Sequence, residues 1–324
     1  MPNFKRRARR VVTATAGLAL FNLVQTLQAG PLMSELPGQT GYWTSPQGKL
    51  FYKTVGTGEP LVLLHGFNAG ASSYEMRRVV APLAQHFQVY ALDWLGFGLS
   101  DRPKLRYTAD LYVSLLDGFL RDVVKTPAHV VASSLASAYV IQHAAAHPDR
   151  YRRLVLIAPT GIEKLVSEPG AAQRGLRDLL VTPFVGEFLF NLLVTPTSLA
   201  FFLKRQGYYD PAQVTSDVIS AYFATSHQPG ARYAPASFIG GLLNLPIRRA
   251  WENLTHPTLI VWGREATSTP VETAQAFTAL KPDTRLEVFD RCSLLPHDEH
   301  AERFSQLVLD FLTQNTPAET GAVV

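Results

Sequence analysis

Cysteine is almost absent from this chain. Cys292 is the only one in 324 residues, which rules out an intrachain disulfide and any cysteine-built metal site. A lone thiol leaves the compartment open, because disulfides are common outside the cytosol without being required there. Charge is also sparse, at 17 % of residues. The formal net charge of +4 owes much to Lys5, Arg6, Arg7, Arg9 and Arg10. Outside that cluster the balance is near neutral, so no basic face argues for nucleic acid as a partner. There is no internal repeat and no low-complexity tract. Gly96-Phe97-Gly98 lacks the third glycine and the context of a dinucleotide site. What is present is apolar: 47 % hydrophobic residues describe a well-buried globular protein, one large domain with an insertion or two domains.

The basic cluster precedes Val11 to Leu27, an apolar stretch interrupted by Asn22 and Gln25. A positive region followed by an apolar one has the form of a signal peptide or signal anchor. Leu27-Gln28-Ala29 is a poor cleavage site because Leu27 is bulky, and the stretch is marginal in length for a full span. An amphipathic surface helix with a basic end fits the same residues. The expectation for 1–30 is membrane association or export, with a frayed N-terminus of a cytoplasmic protein as the alternative. Residues 30–48 read as a linker running into a strand pair, Gly41 to Trp43 and Lys49 to Val55. The polar tail 315–324 reads as disordered.

Further on, the apolar run Leu61-Val62-Leu63-Leu64 ends in His65-Gly66-Phe67, and Val89 to Leu92 opens into a glycine-rich loop, Asp93 to Asp101. Continuous apolar runs bounded by glycine read as strands buried on both faces of a parallel sheet. Further apolar runs are Leu154 to Ile157, Pro257 to Gly263 and Leu286 to Phe289. Between them, His129 to Ser133 runs straight into an alanine-rich helix with Ser134 at the bend. Ala132 and Ala136 stand two residues before and two after that serine, where a G-x-S-x-G nucleophile elbow has glycines. Taken locally, Ser133 or Ser134 reads equally as a helix N-cap.

Together these motifs resemble the α/β-hydrolase superfamily over about residues 48–314. The Asp93-to-Pro103 segment looks most like pheophytinase-like ester hydrolases. The resemblance implies a mostly parallel central sheet with helices on both faces, its core formed by 31–161 and 251–314. It also implies a helical cap inserted at 162–250, where apolar helical stretches are punctuated by Pro183, Pro196, Pro211 and Pro229. Phe184, Phe188, Phe190, Phe201, Phe202 and Tyr222 would make this cap greasy, as cap core or as cavity wall. By the same resemblance Ser134 is the nucleophile, and the backbone N–H groups of Phe67 and Leu135 are the oxyanion donors. Asp93 and Asp101 flank a structural loop. No cofactor and no metal is expected.

The acid and base positions depart from the family pattern. The acid normally stands three residues past the glycine that ends the Trp-Gly strand; counting from Gly263 gives Ala266, with Glu265 one residue off. The base normally stands six residues past the valine of the last strand; counting from Val288 gives Leu294, followed by Pro296-His297. Neither alanine nor leucine can move a proton through its side chain. Two readings follow. In one, the site is rewired, with His297 as base and Glu265 as orienting acid, giving a weak serine hydrolase of a hydrophobic carboxylic ester or related acyl compound. In the other, catalysis is lost and a small apolar ligand binds between core and cap. Either way the partner is a small hydrophobic molecule, and the oligomeric state is left open.

Overall fold

The computed structural model describes the backbone of residues 2–314 and side chains from residue 15 onward. The expected tail 315–324 lies outside the described residues. Eight strands form one sheet in the order β1-β2-β4-β3-β5-β6-β7-β8. β1 (Gln39–Ser45) and β2 (Gly48–Val55) form an antiparallel hairpin, and β2 also pairs antiparallel with β4 (Gln88–Leu92). From there β3 (Pro60–Leu64), β5 (Ala128–Ser133), β6 (Tyr151–Ile157), β7 (Thr258–Gly263) and β8 (Arg285–Phe289) run parallel. Every residue of β3 and β5 is buried, as continuous apolar runs in a doubly covered sheet require.

Alternation along the strands explains the two covering layers. Val62, Leu64, Val130 and Ala132 face a core shared with α3 (Ala109–Phe119), α4 (Leu135–Ala146), α10 (Arg248–Asn253) and α11 (Ala274–Leu280). Leu61, Leu63 and Val131 face the opposite core, built on α2 (Arg77–Leu83) and α13 (Ala301–Thr313).

The chain moves from β3 to β4 on one side and then to β5 on the other. The topological switch therefore lies between β3 and β5, and ligand crevices of open α/β sheets form at the carboxyl ends of strands beside such a switch. Between β6 and β7 the chain leaves the sheet for α5 (Ala171–Leu180), α6 (Val185–Leu193), α7 (Pro196–Phe202), α8 (Ser216–Ser226) and α9 (Tyr233–Ile239). The apolar stretch that Pro183 punctuates is two helices, α5 and α6, because the proline ring clashes with the preceding turn. These helices hold their own apolar cluster, which includes Leu180, Phe190, Leu199, Leu203, Val218 and Tyr222. Of the six aromatic residues read as cap core or cavity wall, Phe190 and Tyr222 are in that cluster, Phe202 lines the cavity described below, and Phe184 and Phe201 are exposed.

Residues 2–29 form one helix, α1 (Pro2–Ala29), seated on the cap. Phe21 meets Phe188 edge-on at 5.1 Å, and the buried Asn22 accepts a hydrogen bond from Asn191 Nδ2 at 3.0 Å.

Candidate active site

The turn from β5 into α4 is strained at one residue. Ser134 has φ 53° and ψ −120°, a conformation that costs an L residue on the order of 1–3 kcal/mol. The strain is held by a 2.7 Å hydrogen bond from the Ser134 N–H to the Ile157 carbonyl. Ser137 Oγ adds a bond to the Ala132 carbonyl at 2.8 Å. Ala132 and Ala136 are both fully buried, so strand and helix close tightly without glycine. Ser133, the last residue of β5, also reaches the cavity wall.

The second contribution comes from the end of β3. The Phe67 ring packs into an aromatic nest of Trp94, Phe97, Tyr112 and Tyr139. His65 lies beneath the loop, its Nδ1 2.7 Å from the Gly66 carbonyl and its Nε2 accepting from the Trp94 N–H at 3.2 Å. A carbonyl at Nδ1 and an N–H at Nε2 make Nδ1 the donor and Nε2 the acceptor. The N–H groups of Phe67 and Leu135 have no hydrogen-bond partner among the described residues. They are the two donors that an elbow of this type offers an oxyanion. Asp93 serves the loops instead, accepting from Ser73 N–H at 2.6 Å and Leu99 N–H at 2.7 Å. Asp101 accepts from Lys49 N–H at 2.8 Å.

Ser133 and Ser134 open onto a cavity of about 290 Å³ under the cap. Phe67, Leu165, Phe202, Phe238, Leu294 and Leu295 make its wall largely apolar. Its titratable lining groups are Glu75 and Lys164, and no histidine is among the lining residues. Leu294 faces the cavity from the loop after β8, and Ala266 is buried in the loop after β7.

The structure does not bring His297 and Glu265 together. Glu265 Oε2 accepts the Cys292 N–H at 2.9 Å, and the Glu265 N–H donates to the Cys292 carbonyl at 3.0 Å. This carboxylate clamps the β7 and β8 loops to each other by their main chains. Gly263 permits that approach, since a Cβ there would fall 1.9 Å from the Ser293 carbonyl oxygen. Cys292 is buried beside the clamp, and burial pushes its thiol far above the ordinary range, so it is inert. His297 is fully buried, with Nε2 3.2 Å from Glu75 Oε1 and its ring against Phe304. Neither His297 nor Glu265 lines the cavity. The physical reason is the loop path: Pro296 starts the short helix α12 (Pro296–Glu299), which turns His297 back into the core.

Sequence reasoning missed Glu75. It lies on a short 3₁₀ turn, Ser73–Met76, which the β3–α2 loop folds against the elbow. Its carboxylate takes long contacts from the Gly66 N–H, 3.4 Å to Oε1 and 3.3 Å to Oε2, and Oε1 lies 3.2 Å from His297 Nε2. Burial would push this carboxyl up; the His297 contact, with Ser133, outweighs it and holds the group below the usual carboxylate range. The available signal was an acid within a segment that also supplies the buried Met76, Val79 and Val80.

Asp117, His143 and His147 form a cluster of metal-ligating type away from the site. Both His143 ring nitrogens are engaged, by Tyr151 Oη at 2.7 Å and Asp117 Oδ1 at 3.2 Å, and Arg121 takes the other Asp117 oxygen at 2.9 Å. His143 and Asp117 are thus already partnered within the protein.

A family model described as the alpha/beta hydrolase family matches residues 61–307. 2-Hydroxymuconate semialdehyde hydrolase of Pseudomonas sp. (strain CF600) is 30 % identical over 263 residues, covering 80 % of this chain and 88 % of the relative. A solved meta-cleavage product hydrolase variant superimposes with a TM-score of 0.69 at 25 % identity, over 86 % of this chain and 98 % of its own. A membrane phospholipase A shares the fold at 20 % identity and a TM-score of 0.66, over 96 % of this chain and 98 % of its own. With 61–307 matched and the relative at 30 %, the chain belongs to the alpha/beta hydrolase family.

Proposed function

We propose that this protein binds a small, largely apolar ligand in the cavity between sheet and cap, without the proton relay of a serine hydrolase. The observation that carries the reading is the cavity wall itself: Leu294 stands there and no imidazole does. Without a base, a serine hydroxyl is a poor nucleophile. Loss of the relay leaves only the oxyanion donors and binding, worth a residual ~10³–10⁴-fold over water. The strained Ser134 and the two unpartnered N–H groups favour some turnover. The second reading is therefore weak hydrolysis, in line with the relatives that are named hydrolases.

One experiment separates them. N-phenyl-1-naphthylamine, a neutral fluorescent probe, should bind saturably to the intact protein, and any Ser134-dependent hydrolysis of p-nitrophenyl butyrate should fall far below ordinary esterase rates. Ser134-dependent hydrolysis at ordinary esterase rates overturns the binding reading; failure of the probe to bind removes the ligand from it.

We place this activity at an anionic membrane surface. Exposed large apolar side chains concentrate on α1 (Leu20, Leu23, Leu27) and on the cap (Phe184, Leu192, Leu193, Phe201). The first charged residues in the sequence are all basic, with no acid before Glu35, which suits anionic lipid. No single helix among the described residues is long and apolar enough to cross a membrane; the attachment proposed is through α1 and the exposed apolar side chains of the cap. The full chain should sediment with phosphatidylglycerol vesicles and lose that binding when residues 1–30 are removed; equal sedimentation of both overturns the placement.

A further inference from the structure

The inner end of the cavity is not electrically neutral ground. Gly66 marks its centre: a Cβ placed there would lie 3.3 Å from Ser133 Oγ, 3.6 Å from Glu75 Oε2 and 3.6 Å from Ser134 Cβ. A carboxylate oxygen and both serines therefore converge on one spot, at the loop whose next N–H is an oxyanion donor. Oε1 of that carboxylate lies 3.2 Å from His297 Nε2, and the Gly66 N–H reaches both oxygens, at 3.4 Å and 3.3 Å. Glu75 lines the cavity although only 3 % of it is exposed, so its charge acts in a poorly hydrated place, where electrostatic contrasts are large.

We propose that Glu75 makes this end of the cavity a subsite for the hydrogen-bond-donating head of a neutral ligand, such as a primary alcohol, and excludes carboxylates. The proposal rests on the ligand-binding reading above and names the class of ligand. A hydroxyl can donate to the carboxylate and accept from the Phe67 or Leu135 N–H. A carboxylate in the same position has no proton to donate and meets a like charge. The same charge disfavours an oxyanion forming on Ser134, so one residue accounts for both ligand choice and weak chemistry. Lys164, at the exposed rim, is the one lining cation and could hold a carboxylate only near the mouth.

The test is calorimetric titration of the full chain with octan-1-ol and with octanoate, which share a tail and differ in the head. The parent should prefer octan-1-ol by about tenfold or more, the scale at which a like charge discriminates partners. Glu75→Gln keeps the shape and removes the charge; it should bring the two affinities together, by a gain in octanoate. Should that variant fold poorly, Glu75→Gln with His297→Gln removes both members of the pair and should show the same convergence. Equal affinities in the parent that Glu75→Gln leaves unchanged overturn the proposal and leave the binding reading standing. So does octanoate binding that matches octan-1-ol and is lost in Lys164→Met. Binding of neither compound to the parent overturns both.

Discussion

The two sides of the cavity wall differ in what they are made from. On the β3–β5 side the working parts are backbone: the Ser134 turn and the N–H groups of Phe67 and Leu135, fixed by small residues and an aromatic nest. On the β7–β8 side the working parts of a hydrolase would be two side chains, and Ala266 and Leu294 occupy those places. Backbone geometry tolerates substitution as long as volumes are kept. A proton relay depends on the identity of single residues, and one change at each position removes it. The carboxylates on that side have become structural: Glu265 clamps the two loops, and Asp298 receives Arg77 at 2.8 Å, Arg78 at 3.1 Å and the Tyr208 hydroxyl.

The contrast breaks most sharply if the missing side chains are returned. Ala266→Asp with Leu294→His should raise Ser134-dependent ester hydrolysis by about 10²-fold or more, the usual contribution of a positioned base, read as initial rates against p-nitrophenyl butyrate. Next in size is Asp298→Ala. It strips a buried carboxylate from two guanidinium groups, which typically costs 3–5 kcal/mol and should appear as a large fall in melting temperature. Glu265→Ala should cost about 1–2 kcal/mol, the price of an unsatisfied buried N–H at Cys292, and leave probe binding unchanged. A loss of hydrolysis out of proportion to stability would restore Glu265 as an acid.

The smallest effect concerns pH. The Glu75 carboxyl sits below its unfolded value near 4.3, so its contribution is present above that pH and fades as pH falls through the folded value. Melting temperature should therefore drop more steeply on acidification in the parent than in Glu75→Gln, over about pH 4.3 and below.

Much of this was legible beforehand, for local reasons. The buried strands announce themselves as apolar runs, and Ser134 is flanked by alanines at the two close approaches of strand and helix. The register from Gly263 to Ala266 and from Val288 to Leu294 needs only counting. The pairing of Glu75 with His297 could not be counted. The two are far apart in sequence, and they meet because α12 turns His297 inward while the β3–α2 loop folds a 3₁₀ turn onto the elbow. Sequence spacing offered Glu265 as the partner of His297, but Glu265 finds a nearer donor in the Cys292 N–H. The docking of α1 on the cap is likewise a tertiary fact.

The central claim is that the nucleophile's backbone setting survives without a base to activate it. The most direct measurement is the rate at which a fluorophosphonate labels Ser134 at neutral pH in the full chain. The account predicts slow labelling that rises steadily with pH, as for an unassisted hydroxyl, and fast labelling in the Ala266→Asp, Leu294→His protein. Rapid labelling of the parent at neutral pH, with a plateau marking the titration of a base, would contradict it.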